Sequence, residues 1–197
     1  MNTSLITIPP KLLEDLNGTG ITVISGMAYG IDVCAHKAAL KNQLPTVGVL
    51  AHGLDRIYPA VHKNVAVELL KKGGLLTDFW SNTNPDRENF VKRNRIVAGL
   101  CDAILVTESG IKGGSMITAR IAHGYNRDVF AVPGRPSDLA SIGCNFLIQK
   151  NMAQITTNAT DIGEAMNLLW NVSDDVLHYP IMSFDHGKKR KPNLLVL

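Results

Sequence analysis

Ile21-Thr22-Val23-Ile24, followed without a break by Ser25-Gly26-Met27-Ala28-Tyr29-Gly30-Ile31-Asp32, decides the fold. The first four residues are a compact apolar and β-branched run, the composition of a buried strand. The next eight hold two glycines and an alanine, which let the backbone turn tightly and approach a ligand. A helix is predicted from Val33 to Lys41, and the free amide hydrogens at a helix start make such a turn a place for an anion. The glycine spacing is not the G-x-G-x-x-G of a dinucleotide fold. An ordinary strand–helix turn with Asp32 near the helix start accounts for the same residues.

The pattern repeats outward from there. Before it, Pro9–Leu16 reads as a short helix, with Leu12, Leu13 and Leu16 on one side and glycines to end it. After it come the strand 46–50, the helix 62–72 and the strand 75–79. The helix 90–100 and strand 103–107 follow, then the helix 116–124 and strand 128–132. The helix 144–150, strand 153–156 and helix 161–170 complete the series. Strands alternating with helices require crossovers, so the prediction is a three-layer α/β/α domain with a mostly parallel sheet. Residues 1–170 form that domain in this reading, and 171–197, including His186-Gly187-Lys188-Lys189-Arg190-Lys191-Pro192, read as a tail or linker.

Bulk properties narrow the function classes. At 197 residues the chain fits one domain, and 45% hydrophobic with 19% charged residues is ordinary for a globular protein. No apolar run is long enough for a membrane span. The N-terminus lacks the layout of a secretory signal. Cys34, Cys101 and Cys144 form no C-x-x-C and no even framework, which suits a reducing, cytoplasmic setting. A net charge of +3 tolerates a polyanion partner without demanding one.

In a parallel sheet, ligands gather beyond the carboxyl ends of the strands. Ser25, Gly26, Tyr29 and Gly30 occupy that position after the first strand. Gly110-Ile111-Lys112-Gly113-Gly114-Ser115-Met116-Ile117-Thr118-Ala119 does so after strand 103–107, with hydroxyls, a helix start and the Lys112 cation. The two turns are expected on one edge, about 10 Å apart. Phe90-Val91-Lys92-Arg93-Asn94-Arg95 opens a helix with three cations beside an aromatic and an asparagine, a composition that pairs with phosphates and brackets a base. A solvated charged face explains it equally. At about 100° per residue, Lys92 and Arg95 share a face and are the expected phosphate pair, while Arg93 points inward toward a carboxylate partner.

Enzyme signatures are incomplete. Gly113-Gly114-Ser115-Met116-Ile117 lacks the closing glycine of G-x-S-x-G. The six histidines show no metal-ligand spacing, so no metal is expected and His36, His52 and His62 read as surface or turn residues. Asp32, Asp55, Asp78 and Glu108 flank strands, as an acid–base set or as turn and cap residues.

At these residues a family becomes recognisable. Ser25-Gly26-Met27-Ala28-Tyr29-Gly30-Ile31-Asp32, with Ala35-His36 and Ala39-Leu40, resembles the S-G-x-A-x-G-I-D…A-H…A-L signature of the DprA/Smf proteins. Gly53-Leu54-Asp55-Arg56-Ile57-Tyr58-Pro59 resembles their G-L-D-x-x-Y-P segment, and Phe90–Leu100 their F-x-x-R-N-R-I-I-x-G-L. Gly114–Ala119 resembles G-S-L-x-T-A, Val132-Pro133-Gly134 matches V-P-G, and Gly143–Ile148 resembles G-x-N-x-L-I. These run in order over roughly residues 20 to 165.

The resemblance implies an extended Rossmann-like domain that binds single-stranded DNA as a homodimer, without a cofactor. It also implies roles in natural transformation and in loading the RecA recombinase. By motif position the DNA pocket would involve Tyr29, Lys92, Arg93, Asn94, Arg95, Gly114, Ser115 and Thr118. Many members have arginine where this chain has Tyr29, which exchanges a phosphate clamp for a stacking face. Set against the resemblance, the family's opening strand with its G-S-R turn, its small N-terminal helical domain and the C-terminal winged-helix domain of some members are expected to be missing from this sequence. A missing strand is expected to expose a sheet edge or leave a hole in the phosphate site.

Two alternatives stand beside this reading. One is a nucleoside-monophosphate phosphoribohydrolase of the lysine-decarboxylase-like group, on a related fold. Its P-G-G-x-G-T-x-x-E motif needs a glutamate, whereas Gly113-Gly114 is followed by Ser115-Met116-Ile117-Thr118-Ala119-Arg120. The other is an interaction scaffold that has lost DNA binding.

Overall fold

The computed structural model describes residues 8–168 and 193–196. In chain order the elements are α1 (Ile8–Asp15), β1 (Thr22–Ser25), α2 (Ile31–Lys41), β2 (Thr46–Val49), α3 (Lys63–Lys72) and β3 (Gly74–Leu76). There follow α4 (Arg87–Leu100), β4 (Ala103–Val106), α5 (Gly114–Gly124), β5 (Asp128–Ala131), α6 (Ile142–Gln149), β6 (Gln154–Ile155), α7 (Ala159–Ala165) and β7 (Asn193–Val196). A 3-10 turn, Ala60–His62, leads into α3.

One sheet runs in the order β3-β2-β1-β7-β4-β5-β6, and every neighbouring pair is parallel. Side chains alternate across it, and both faces are apolar. Val23, Leu105 and Phe130 face Leu13, Ala35 and Ile162 of α1, α2 and α7, and Leu16 just beyond α1. Ile24, Ile104, Val106 and Ala131 face Val97, Met116, Ala119 and Leu147 of α4, α5 and α6. This double covering explains why the strands read as continuous apolar runs. The expected three-layer α/β/α architecture is the one seen.

The chain steps outward from β1 to β3, returns to β4, and steps outward the other way to β6. Strand order therefore reverses between β1 and β4, the switch point at which open α/β sheets bind ligands. β7 lies in that gap, with Leu194 fully buried. Its entry is pinned by Asp102 Oδ2, which accepts the Asn193 N–H at 2.8 Å, and by Asn193 Nδ2, which donates to Leu100 O at 2.8 Å.

Two expectations are corrected here. Residues 193–196 are not tail or linker but a central strand, because an apolar segment fits between two strands that would otherwise present unpaired edges. For the same reason the sheet has no hole between β1 and β4. The basic stretch 186–192 lies outside the described residues. Smaller differences have local causes. α7 ends at Ala165 rather than reaching Trp170, itself undescribed, and Asn167 adopts a left-handed φ of 51° just beyond. β3 ends at Leu76, where the Thr77 hydroxyl turns back to the carbonyls of Leu50 and His52.

Candidate nucleic-acid interface

The β1 turn is held from below by buried polar groups. Gly26 has no room for a side chain, since a Cβ would overlap the Asp32 carboxylate and the Arg93 guanidinium. The histidines read as surface or turn residues are instead buried, each against a backbone carbonyl: His52 on Gly53 O, His62 on Met27 O and His36 on Gly26 O. His36 of α2 has Nε2 2.6 Å from Gly26 O and Nδ1 2.7 Å from Thr46 Oγ1. The carbonyl can only accept, so Nε2 carries the proton and Nδ1 accepts from the threonine hydroxyl. Burial, opposed by the Gly26 carbonyl and Asp32, pushes the pKa of His36 below its ordinary value and keeps the ring neutral. Asp32 Oδ2 accepts the Ala28 N–H at 3.2 Å, closing the turn on itself. Gly30 has φ 84°, which favours glycine, and immediately precedes α2.

The β4 turn is braced differently. Ser115 Oγ donates to Ser109 Oγ at 2.8 Å, and Ser109 Oγ to Gly110 O at 2.9 Å. From beneath, Gly143 of α6 packs so closely on Ser109 that a Cβ there would fall 2.6 Å from Ser109 O. Gly114, the first residue of α5, has open space around it. Thr118, almost fully buried, turns its hydroxyl back to Gly114 O at 3.4 Å.

Helix α4 supplies the third wall. Arg93 is only 6% exposed, and its Nη1 donates to Val49 O while its Nε donates to Asn94 Oδ1 at 3.1 Å. Burial lowers its pKa and the field of Asp32 opposes that shift, so the guanidinium has the carboxylate neighbour that helical spacing predicted. The guanidinium carbon also lies 5.9 Å from the Phe90 ring centroid. Lys92 and Arg95 are exposed, and Arg95 Nη2 pairs with Asp78 Oδ2.

The three walls enclose a cleft of about 340 Å³ at the switch point. Of the residues expected at the site, Tyr29, Gly30, Arg93, Asn94, Gly114, Ser115 and Thr118 line it. Ser25 and Gly26 are buried beneath it. Lys92, Arg95 and Lys112 are exposed and outside its lining. Phe90, Ala28, Ile31, Asp32 and Glu108 complete the wall. Asp32 and Glu108 had been legible only as residues flanking strands. Asp55 and Asp78 belong elsewhere, with Arg56 and Arg95.

With two carboxylates against one guanidinium, the cleft does not concentrate positive charge. It presents carboxylate acceptors, the Asn94 amide, hydroxyls, two helix starts and two aromatic rings. That mixture matches the edge and face of a nucleobase better than a bare phosphate. Among the described residues no cluster of His, Cys, Asp and Glu is placed to hold a metal. Cys101 and Cys144 are buried, and burial raises the Cys144 thiol to about 11, which leaves it an inert core group at neutral pH. No helix among the described residues is long and apolar enough to cross a membrane.

A parallel α/β sheet with a cleft at its switch point is an architecture that recurs among ligand-binding α/β proteins. Comparison narrows it. The family model described as DNA recombination-mediator protein A matches residues 2–167, and the chain belongs to this family, the DprA/Smf proteins. It is 41% identical over 138 residues to Protein Smf of Synechocystis, covering 70% of this chain and 35% of the relative. It is 39% identical over 152 residues to DNA processing protein DprA of Streptococcus pneumoniae, covering 77% and 53%. The crystal structure of the S. pneumoniae DprA superposes with a TM-score of 0.76 at 33% identity, covering 87% of this chain and 59% of that one. DprA from Helicobacter pylori, whose structure is described in terms of a unique single-stranded DNA binding mode, gives 0.76 at 28% identity, covering 85% and 75%. The chain spans between about a third and about half of the length of these curated relatives.

Proposed function

We propose that this protein is a non-catalytic binder of single-stranded DNA, and that the switch-point cleft takes unstacked bases while phosphates run along its rim. The observation that carries the reading is the convergence of both glycine turns and α4 on one cleft whose walls offer base-edge partners and aromatic faces. Duplex DNA buries the base faces in its stack and the Watson–Crick edges in its pairs; a single strand exposes both. Within this reading Tyr29 and Phe90 stack, and Arg93 holds the β1 turn in shape. Asn94, Ser115, Gly30 and Gly114 contact the strand, and Ser25, Gly26 and Thr118 shape the turns. Lys92, Arg95 and Lys112 attract phosphates at the rim.

The resemblance supports a wider role in natural transformation, with RecA loaded onto the bound strand by a cytoplasmic homodimer. The test of the core reading is a titration of a labelled oligonucleotide at two salt concentrations, single-stranded against duplex. The expected result is a clear preference for the single strand and an affinity that falls with salt. Equal affinity for the duplex would reject it.

A second reading rests on Asp32 and Glu108 sharing the cleft, as a glycosidic hydrolase would need. Against it, Asp32 is already engaged by the Ala28 N–H and the Arg93 field. Incubation with adenosine monophosphate is expected to release no base. Turnover abolished by Glu108→Gln would establish the enzyme instead.

A further inference from the structure

We propose that Tyr58 and Trp80, on the loops beyond β2 and β3, form a base-stacking subsite that continues the strand path out of the switch-point cleft. The inference rests on the single-strand reading above and deepens it. Because every strand pair is parallel, these loops open on the same sheet edge as the cleft.

The two rings are solvent-facing where burial would be expected. Trp80 is 88% exposed and Tyr58 46% exposed. A large apolar ring left in water forgoes the stabilisation that burial gives, and two such rings on neighbouring loops are a surface of the kind that takes a partner. The loops are also rigidly joined. Asp55 Oδ1 accepts the Asn82 N–H at 2.9 Å, and Arg56 donates to both Asp55 Oδ2 and Asn84 Oδ1 at 2.9 Å. Those contacts, the Asn82 amide foremost, hold the Asp55 carboxyl below its ordinary value, so the clasp stays charged at neutral pH. Gly53 packs against the Trp80 carbonyl with no space for a Cβ. The Tyr58 N–H donates to His52 Nε2 at 3.3 Å, fixing the backbone behind that ring. A preorganised aromatic loses little freedom when a base stacks on it.

Continuity with the cleft selects the occupant. The Tyr58 ring meets Phe90 edge-on at 6.1 Å between centroids, and Phe90 is a cleft wall. The path therefore steps from the cleft to Phe90, to Tyr58, and onto the loop that the Asp55–Arg56 clasp ties to Trp80. Arg56 and Lys63 line an adjacent hollow of about 300 Å³ and supply cations for the phosphates of a strand lying there. Aromatic faces interleaved with cations, without a fixed pattern of base-edge donors, are the chemistry of sequence-tolerant single-strand binding.

The chain has two tryptophans, so Trp170→Phe leaves Trp80 as the sole indole reporter. That protein is titrated with oligothymidylates of increasing length, and with a long oligothymidylate carrying one abasic position stepped along it. Long oligonucleotides are expected to quench the indole emission, and oligonucleotides too short to leave the cleft to bind without quenching. Trp80→Ala is expected to weaken the long oligonucleotide by roughly 5- to 100-fold and leave the short one unchanged, with Trp80→Tyr restoring most of the loss. Melting temperature and sedimentation are expected to match the parent. If the parent binds long oligonucleotides but Trp80→Ala and the abasic series change nothing, the subsite is overturned while the cleft reading survives. If no oligonucleotide binds the parent, both fall. If Trp80→Ala weakens binding only by dissociating a dimer, the ring is an interface between copies and the proposal is overturned.

Discussion

The two glycine turns that wall the cleft are built to opposite plans. The β1 turn rests on a buried imidazole, a buried guanidinium and a carboxylate, and the space over Gly26 is already filled by two of them. The β4 turn is fastened by serine hydroxyls, and the space over Gly114 is empty. One plan fixes a backbone shape at the cost of burying charge. The other ties the turn with neutral hydroxyls and leaves open space beside the first residue of α5. Under the single-strand reading proposed above, the first turn is the floor that defines where a base sits, and the open space at Gly114 is where the strand gains room.

Arg93 tests the rigid half most severely. Arg93→Ala removes the donor to Val49 O and leaves Asp32 without its cation. Leaving the Val49 carbonyl without its charged donor, together with the lost field at the partly solvated Asp32, is expected to cost about 2–3 kcal/mol in a denaturant titration. A change below about 0.5 kcal/mol would mean that the floor is not held by charge at all. Next in size is a matched pair of substitutions. Gly26→Ala forces a methyl against Asp32 and Arg93 and is expected to cost about 1–3 kcal/mol, whereas Gly114→Ala meets open space and should stay within about 0.5 kcal/mol. Equal costs would erase the distinction between the turns.

Much of this contrast could be anticipated from the residues. The alternation of apolar strands and helices was legible because burial on both sheet faces leaves continuous β-branched runs. The inward position of Arg93 followed from helical spacing against Lys92 and Arg95. The central strand did not. Asn193–Val196 is a four-residue apolar segment whose place depends on two strands more than eighty residues away in sequence, and no local pattern encodes such a pairing. The aromatic path escaped notice for the same reason, since Tyr58 and Phe90 meet only through tertiary packing. The division of charge was not legible either: Lys92, Arg95 and Lys112 lie outside the lining of the cleft, which closes around Arg93, Asp32 and Glu108.

The third prediction uses pH. Folded His36 is neutral with a lowered pKa, whereas in the unfolded chain it takes up a proton near its ordinary value of 6.5. Between those values unfolding binds a proton, so this contribution is complete above about pH 6.5 and is lost as pH falls toward the folded value. The slope approaches at most about 1.4 kcal/mol per pH unit, and subtracting the profile of His36→Gln isolates it from the carboxylates. If the two profiles are parallel between pH 6.5 and 5, the imidazole under the β1 turn carries no such load.

The smallest expected effect on stability belongs to the rim. Lys92 and Arg95 are exposed, and the Arg95–Asp78 pair is more than a third solvated at both ends. Such pairs contribute about 0–1 kcal/mol, so the double substitution to alanine should leave the unfolding free energy within that range of the parent. Their influence is expected in binding instead. Each phosphate neutralised on a single strand adds about 0.7 to the slope of log affinity against log salt, so removing both cations should lower that slope by up to about 1.4. Affinity should fall by a similar factor for every sequence, because phosphates carry no base identity. An unchanged slope would confine the strand to the cleft walls, and the amides and hydroxyls of the two glycine turns would then hold the backbone alone. A slope reduced only in the presence of duplex would mean instead that these cations serve a partner other than the strand in the cleft.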